Sequence, residues 1–104
     1  MGSYRSRLNI IADILRVVSG DAKKTQIMYQ ANLSYRLLQK YLRDVRRSSL
    51  VYYERKGRCY VLTEKGRRFL DVYKEYLRRA SFVEKHLNNV NLNRQVLERL
   101  CPER

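Results

Sequence analysis

The chain is poor in the residues that build catalytic and metal sites. It has a single histidine, His86, and its two cysteines, Cys59 and Cys101, show no metal-ligand spacing such as C-x₂-C. Its glycines are isolated and form no phosphate-binding loop. Asp13 and Asp44 fall on different predicted helices, so they offer no carboxylate pair for acid–base catalysis. The sequence therefore predicts a binding protein and not an enzyme, with no cofactor, no metal and no evident small-molecule ligand.

Long apolar runs are also lacking. No stretch approaches the roughly 20 apolar residues that a membrane-spanning helix needs. The amino end shows none of the consecutive regions of a secretory signal peptide. We therefore expect a cytoplasmic protein with no membrane partner. The 104 residues suffice for one domain and little else, and so small a core is often helped by a partner subunit.

Negative charge is scarce. The chain has 10 acidic and 23 basic residues, which gives a net charge of +13. Such an excess attracts polyanions, so nucleic acid is the first candidate partner and an anionic membrane surface a distant second. Residues 34–50 hold five basic residues and one acidic residue. The charge therefore peaks on one segment, which a merely solvated surface would not require.

The spacing of apolar residues predicts two helices before that segment. The first runs from Tyr4 to Ser19 and ends at Gly20, a common residue just past a helix end. Its apolar stripe consists of Leu8, Ile11, Ala12, Leu15 and Val18. The second is short, about Lys24 to Ala31, and Thr25 could cap it. We expect Asn32 to end it in the left-handed backbone conformation.

The third predicted helix begins after the capping residue Ser34, reaches about Arg47 and has two opposite faces. The apolar face consists of Leu38, Tyr41, Leu42 and Val45. The opposite face consists of Arg36, Gln39, Lys40, Arg43 and Arg47, and no carboxylate interrupts it. Such a helix, placed directly after a helix and a tight turn, has the arrangement of a recognition helix for the DNA major groove.

A β-hairpin is predicted next. Leu50 to Arg55 and Arg58 to Leu62 are rich in Val, Tyr and Leu, and Lys56-Gly57 lies between them. Thr63 then caps a helix that begins at Glu64. Three helices followed by a hairpin is the order of a winged helix, in which the hairpin is the wing. Its tip carries three cations, Arg55, Lys56 and Arg58, beside the flexible Gly57, and we expect it to lie against DNA.

The last helix, from Glu64 to about Asn88, is too long for a compact domain of this size. It carries a coiled-coil seam that slips by one residue after Ala80. The predicted dimerisation residues are Leu70, Tyr73, Leu77, Ala80, Val83, Leu87 and Val90. A lone helix cannot bury this stripe, so we expect a homodimer; the alternative is that the helix folds back on its own domain.

Asparagines are concentrated near the end of this helix. Asn88, Asn89, Asn91 and Asn93 are poor helix formers, so we expect the helix to weaken or break there. Residues 92–100 could then form a last short helix. The predicted fold class is mainly α with a small β-hairpin: a winged helix-turn-helix followed by a long C-terminal coiled-coil helix. The predicted divisions are 1–66 for the DNA-binding domain, 67–90 for the dimerisation helix and 91–104 for the tail.

Two strings resemble a known family. The run TQIMYQANLSY over residues 25–35, together with YVLTEKG over residues 60–66, resembles the archaeal winged-helix proteins of the 10a type. The resemblance covers roughly residues 8–87, and the first string is its more specific part. It implies a small basic DNA-binding protein of archaeal chromatin, with relatives regarded as transcription regulators. It also implies a homodimer joined by an antiparallel coiled coil of the last helix, and it sets this chain apart after Asn88, where the family's helix is expected to end.

The sequence thus predicts a dimer that binds double-stranded DNA and is associated with the nucleoid. The candidate DNA-binding residues are Thr25, Ser34, Tyr35, Arg36, Gln39, Lys40, Arg43, Arg47, Arg55, Lys56 and Arg58. A sequence-specific transcription regulator is the first hypothesis, because Arg36 and Gln39 could read base edges. An architectural chromatin protein, which needs only charge and two sites, is the alternative. A protein-interaction module and an RNA-binding protein are the remaining classes, and the tyrosines form no evident stacking platform.

Overall fold

The computed structural model describes residues 5–103 and confirms the predicted fold class. The elements are α1 (Arg7–Val18), α2 (Lys24–Gln30), α3 (Tyr35–Arg47), β1 (Val51–Glu54), β2 (Cys59–Leu62) and α4 (Glu64–Leu100). The predicted start of the first helix at Tyr4 lies outside the described residues. One compact unit ends at Tyr73, and a second begins at Lys74.

The core of the first unit lies where α1, α2 and α3 meet. Ile14, Leu15 and Val18 of α1 pack with Ile27 of α2 and with α3, and all of them are fully buried. The predicted apolar stripe of α3 is confirmed, because Leu38, Tyr41, Leu42 and Val45 are all buried. Leu8 was wrongly predicted to be part of the buried stripe of α1, since 42% of its surface is exposed to solvent. The inward face of α1 begins one turn later, at Ile10 and Ile11.

The turn between α2 and α3 is held by hydrogen bonds between residues close in sequence. Asn32 has φ 53°, as predicted, and the Leu33 amide donates to the carbonyl of Met28 at 3.0 Å. Ser34 caps α3 by accepting a hydrogen bond from the amide of Leu37 at 3.2 Å. The expected cap at Thr25 is wrong, because α2 begins after Lys23 and has no side-chain cap.

Arg5 ties this turn to α1, which the sequence did not indicate. Its guanidinium donates to the carbonyls of Ala31 and Asn32, each at 2.8 Å, and pairs with the carboxylate of Asp13 at 2.9 Å. The carbonyls at the end of α2 would otherwise lack partners, as the last carbonyls of a helix do. Arg5 therefore adds to the local hydrogen bonds that hold the turn before α3.

The wing is an antiparallel hairpin attached to the start of α2. Val51 pairs with Leu62 and Glu54 with Cys59. Ala22 adds a third short pairing with Tyr60, through amide–carbonyl hydrogen bonds of 3.1 and 2.7 Å. The left-handed residue of the turn is Arg58, with φ 51°, and not the glycine before it.

The first turn of α4 packs directly on the backbone that follows α3. The Thr63 hydroxyl accepts a hydrogen bond from the amide of Gly66 at 3.0 Å, which confirms the predicted cap. Gly66 is buried, and a Cβ at this position would lie 2.3 Å from the carbonyl oxygen of Leu50. Lys65 donates to the carbonyl of Ser48 at 2.8 Å and so satisfies the end of α3.

Two predicted dimerisation residues belong to the first unit. Tyr73 is only 6% exposed; its hydroxyl accepts a hydrogen bond from Asn9 at 3.2 Å, and its ring stacks on Phe69. Leu70 packs against the same core. The first turns of α4 lie against α1, and Tyr73 is covered there within its own chain. Its placement in an intersubunit seam is therefore corrected, whereas Leu70 is only half-buried and its role in a seam stays a prediction.

The predicted break among the asparagines is wrong, since α4 continues through them to Leu100. Each asparagine costs a helix only several tenths of a kcal/mol relative to alanine, which neighbouring turns can offset. Pairs one turn apart support the helix, with Glu75 bound by Arg78 and Arg79. These two arginines hold the pKa of Glu75 below its ordinary value.

Because α4 is one continuous helix, a second row of seam residues can be followed along it. If Tyr76 replaces Leu77, the apolar residues are spaced alternately by three and four without the one-residue slip after Ala80. We use the name α4 seam for this row. It consists of Tyr76, Ala80, Val83, Leu87, Val90, Arg94 and Leu97. Leu77, which is part of the predicted seam, lies next to this row on the helix and stays a predicted dimerisation residue.

Candidate nucleic-acid interface

The outward face of α3 consists of cations without carboxylate partners. Arg36, Lys40, Arg43 and Arg47 recur at helical spacing opposite the buried stripe, and all four are exposed. The ion pairs within residues 5–103 involve other cations, namely Arg5, Arg16, Arg78, Arg79 and Arg94. The basic charge of α3 is therefore left free for a partner, while α1 and α4 neutralise part of theirs.

The amino ends of α2 and α3 lie side by side. Thr25 and Tyr35 line one small cavity of about 100 Å³, and the ammonium of Lys24 lies 5.1 Å from the ring centre of Tyr35. Both Thr25 and Tyr35 are exposed. The structure thus places two of the predicted DNA-binding residues next to the first turn of α3, where Arg36 begins the outward face.

Gln39 lies at the edge of the outward face. It is half-buried and turned toward the flank of α3 that faces the wing. At about 100° per residue, Gln39 is turned by about 60° from Arg36 and by about 40° from Arg43, so it borders the row of cations on the side away from Lys40. That Gln39 and Arg36 act together on one exposed face stays a prediction.

The wing tip is exposed and basic. Arg55, Lys56 and Arg58 are exposed in the turn that joins β1 to β2. The strands behind the tip are held together by an edge-on contact of Tyr53 with Tyr60, whose ring centres lie 5.1 Å apart. The predicted cations are thus carried on a short and braced hairpin.

A basic cleft lies on the flank of α3, and the sequence did not indicate it. Its volume is about 520 Å³. Its lining residues are Lys24, Gln39, Leu42, Arg43, Arg46, Arg47 and Tyr60. Arg46 was missing from the candidate residues because it lies off the outward face. Tyr60 comes close only through the pairing of β2 with Ala22, which no local spacing reveals.

Cys59 is the half-buried thiol of the described chain. Burial raises the pKa of the Cys59 thiol, and the carboxylates of Glu54 and Asp21 raise it further. The thiol is therefore protonated at neutral pH and is a poor nucleophile. Within residues 5–103, no three His, Cys, Asp or Glu side chains come together as a metal site. None of the helices in that range is both long and apolar enough to cross a membrane.

The chain was compared with known proteins by sequence and by structure. No curated protein matches the sequence. Among solved structures, the chain is similar to Sso10a-2, a DNA-binding protein from Sulfolobus solfataricus, with a TM-score of 0.65 and 22% sequence identity. The similarity covers 96% of this chain and 100% of that chain, so the predicted departure of this chain after Asn88 is wrong with respect to that structure. The resemblance to the 10a type is confirmed at the level of the fold. The family model for winged helix-turn-helix proteins matches residues 4–81, more than half of the chain, and the chain belongs to that family.

Proposed function

We propose that the chain binds double-stranded DNA, with α3 in the major groove and the wing tip against the sugar–phosphate backbone. The observation that carries this proposal is the outward face of α3, whose four cations have no carboxylate partner in the described structure. An α-helix fits the major groove, and cations that follow it bind phosphates on both sides. The similarity to a DNA-binding protein supports the proposal.

The salt dependence of binding tests this proposal. If about 6–10 phosphates are neutralised, affinity for a duplex should fall by roughly 10³–10⁵ between 50 and 200 mM salt. Fluorescence anisotropy with a labelled duplex measures the slope, and an RNA duplex of the same sequence is the control. The deep, narrow major groove of A-form RNA excludes a helix, so we expect weaker binding to RNA. A flat salt dependence would count against DNA binding and favour a protein-interaction module.

We also propose that the active species is a homodimer joined through the α4 seam. Val83, Leu87 and Val90 are each at least half exposed in the single chain. The surrounding segment, residues 80–103, has three basic and three acidic residues, whereas the whole chain carries +13. Self-association through this segment is therefore not opposed by the charge that dominates the rest of the chain. A second copy of the chain is the natural cover for the row.

The position of Arg94 favours antiparallel subunits. In a parallel, in-register pair, Arg94 would face Arg94 of the partner subunit within the seam, and two like charges would be partly desolvated together. In an antiparallel pair whose helices cross away from residue 94, the two Arg94 side chains lie apart, and each keeps its ion pair with Glu98 of its own chain. Oxidative cross-linking tests the orientation, because Cys101 follows the same spacing. Rapid formation of a disulfide dimer by a Cys59→Ala variant would show parallel chains and contradict the proposal.

Within DNA binding, we propose a transcription regulator, and one observation supports the architectural role as the second candidate. A regulator needs base-edge contacts, which exposed Arg36 in the first turn of α3 can make to guanine. Gln39, the other predicted reader, is half-buried on the flank of α3, and this reduces its reach to bases. The remaining outward side chains are cations suited to phosphates.

The variant Gln39→Ala separates these two roles. For a regulator that uses this amide, affinity for the best selected duplex should fall by about 1–3 kcal/mol, and affinity for random duplexes should stay unchanged. For an architectural protein, all duplexes should respond alike. The comparison requires selection of the preferred duplex from a random pool and measurement of both affinities at one salt concentration.

A further inference from the structure

The basic cleft differs from the outward face of α3 in direction and in composition. Four of its seven lining residues are cations, and none is acidic. Arg43 and Arg47 contribute to both surfaces, whereas Arg46 contributes only to the cleft. Lys24 lines the cleft and also the small cavity beside Tyr35. Lys24 comes from the start of α2, so positive charge converges on the cleft from two separate helices.

Aromatic rings hold the cleft's cations in place without neutralising them. The guanidinium carbon of Arg46 lies 5.9 Å from the ring centre of Tyr60, and Lys24 lies 5.1 Å from that of Tyr35. A ring face orients a cation but leaves its charge and most of its N–H donors available. Tyr60 is itself only 7% exposed and is fixed by its backbone pairing with Ala22. Arg46 is therefore placed in advance of any ligand.

We propose that this cleft binds a phosphate group of the DNA backbone, with Arg46 as the principal ligand and Lys24 as the second. The inference rests on the proposed function. A planar guanidinium matches two phosphate oxygens at once, and an ammonium adds charge from another direction. The cleft is open and lined by cations, which suits a continuous anionic strand.

The position of the cleft determines where the DNA backbone would lie relative to α3 and the wing. Arg46 projects from the flank of α3 beside β2, whereas Arg36 and Lys40 project outward. A backbone strand in the cleft would therefore be held between α3 and the wing strands while the outward face enters the groove. Phosphate contacts of this kind fix register and orientation without reading sequence.

The variant Arg46→Gln tests the site, with Arg99→Gln as the matched control for the loss of one exposed positive charge. For Arg46→Gln, the slope of log affinity against log salt should become shallower by about one for each winged helix engaged. Its effect should be the same for every duplex sequence. Arg99→Gln should leave the slope close to that of the wild type. The salt slope of Lys24→Gln tests the second ligand independently. Circular dichroism verifies that each variant is folded.

The possible outcomes are distinguishable. A flat salt dependence of the wild type would overturn the proposed function itself. A steep wild-type slope that Arg46→Gln and Lys24→Gln leave unchanged would overturn this inference alone. Titration with inorganic tripolyphosphate tests a free phosphate source. If tripolyphosphate binds the wild type but not Arg46→Gln, while the DNA slope is unchanged in that variant, the assignment to the DNA backbone is refuted.

Discussion

Replacement of Gly66 by alanine sets two effects of opposite sign against each other. Gly66 lies in the first turn of α4, where alanine favours a helix over glycine by about 1 kcal/mol. Propensity alone therefore predicts that Gly66→Ala stabilises the protein. The tertiary structure predicts the reverse, because the new Cβ would lie 2.3 Å from the carbonyl oxygen of Leu50 and 2.5 Å from a methyl carbon of Leu62.

The steric effect should exceed the propensity effect. Relief of the contact requires the backbone oxygen of Leu50 to move by roughly 1 Å, toward the usual van der Waals distance. That oxygen accepts a hydrogen bond from the Thr63 amide at 3.1 Å, and it shares the single proton of the Thr63 hydroxyl, at 3.0 Å, with the carbonyl of Ser49 at 2.6 Å. Overpacking costs about 1–3 kcal/mol, and weakening two hydrogen bonds costs about 1–2 kcal/mol more. After the gain in helix propensity, we expect a net destabilisation of about 1–4 kcal/mol.

Thermal unfolding followed by circular dichroism at one fixed protein concentration measures this change. A loss of 1 kcal/mol lowers Tm by about 4 °C in a domain of this size, so Gly66→Ala should lower Tm by roughly 4–16 °C. Gly20→Ala is the matched control, because nothing lies within 4 Å of a Cβ built there. A rise in Tm for Gly66→Ala equal to that for Gly20→Ala would refute the close approach of α4 to the backbone after α3.

Further predictions concern the dimer, the wing and the turn. Leu87→Glu should shift the protein toward 12.6 kDa in sedimentation equilibrium, because an unpaired charge buried in the seam costs several kcal/mol, whereas Gln95→Glu should leave the dimer intact. Arg55→Ala combined with Lys56→Ala should weaken binding equally for all duplexes and lower the salt slope by about two for each winged helix engaged; an unchanged slope would place the wing away from DNA. Arg5→Ala should lower the free energy of unfolding by about 1–3 kcal/mol in urea, and an effect within error would show that the turn holds without it.

Local patterns sufficed for most of the fold. The apolar spacing of α3 fixed which side faces the core, and the residues Asn32, Ser34 and Thr63 marked helix ends through preferences that act within one turn. The basic face of α3 followed from the same periodicity, since the side opposite a buried stripe must be exposed. These features depend on residues that lie close together in sequence.

Errors arose where local preference competed with packing or with helix continuity. Asparagine propensity suggested a break that does not occur, because each residue weakens a helix by less than its neighbouring turns support it. Tyr73 fits a seam by spacing alone, but its ring fills the space beside α1, and one side chain cannot be buried in both places. The spacing of apolar residues shows which face of a helix is apolar. It does not show whether that face is covered by the same chain or by a partner subunit.

The sequence by itself therefore determined the winged-helix order, the cationic face of α3 and the basic wing tip, because composition and periodicity are properties of neighbouring residues. Only the tertiary structure decided that Arg5 braces the turn, that Gly66 must lack a side chain, and that Lys24, Arg46 and Tyr60 form one cleft. Those residues meet across separate elements, and their contact depends on how α1, α3, α4 and the wing pack. No pattern along the chain encodes such distances, since they are set by the close packing of the whole core.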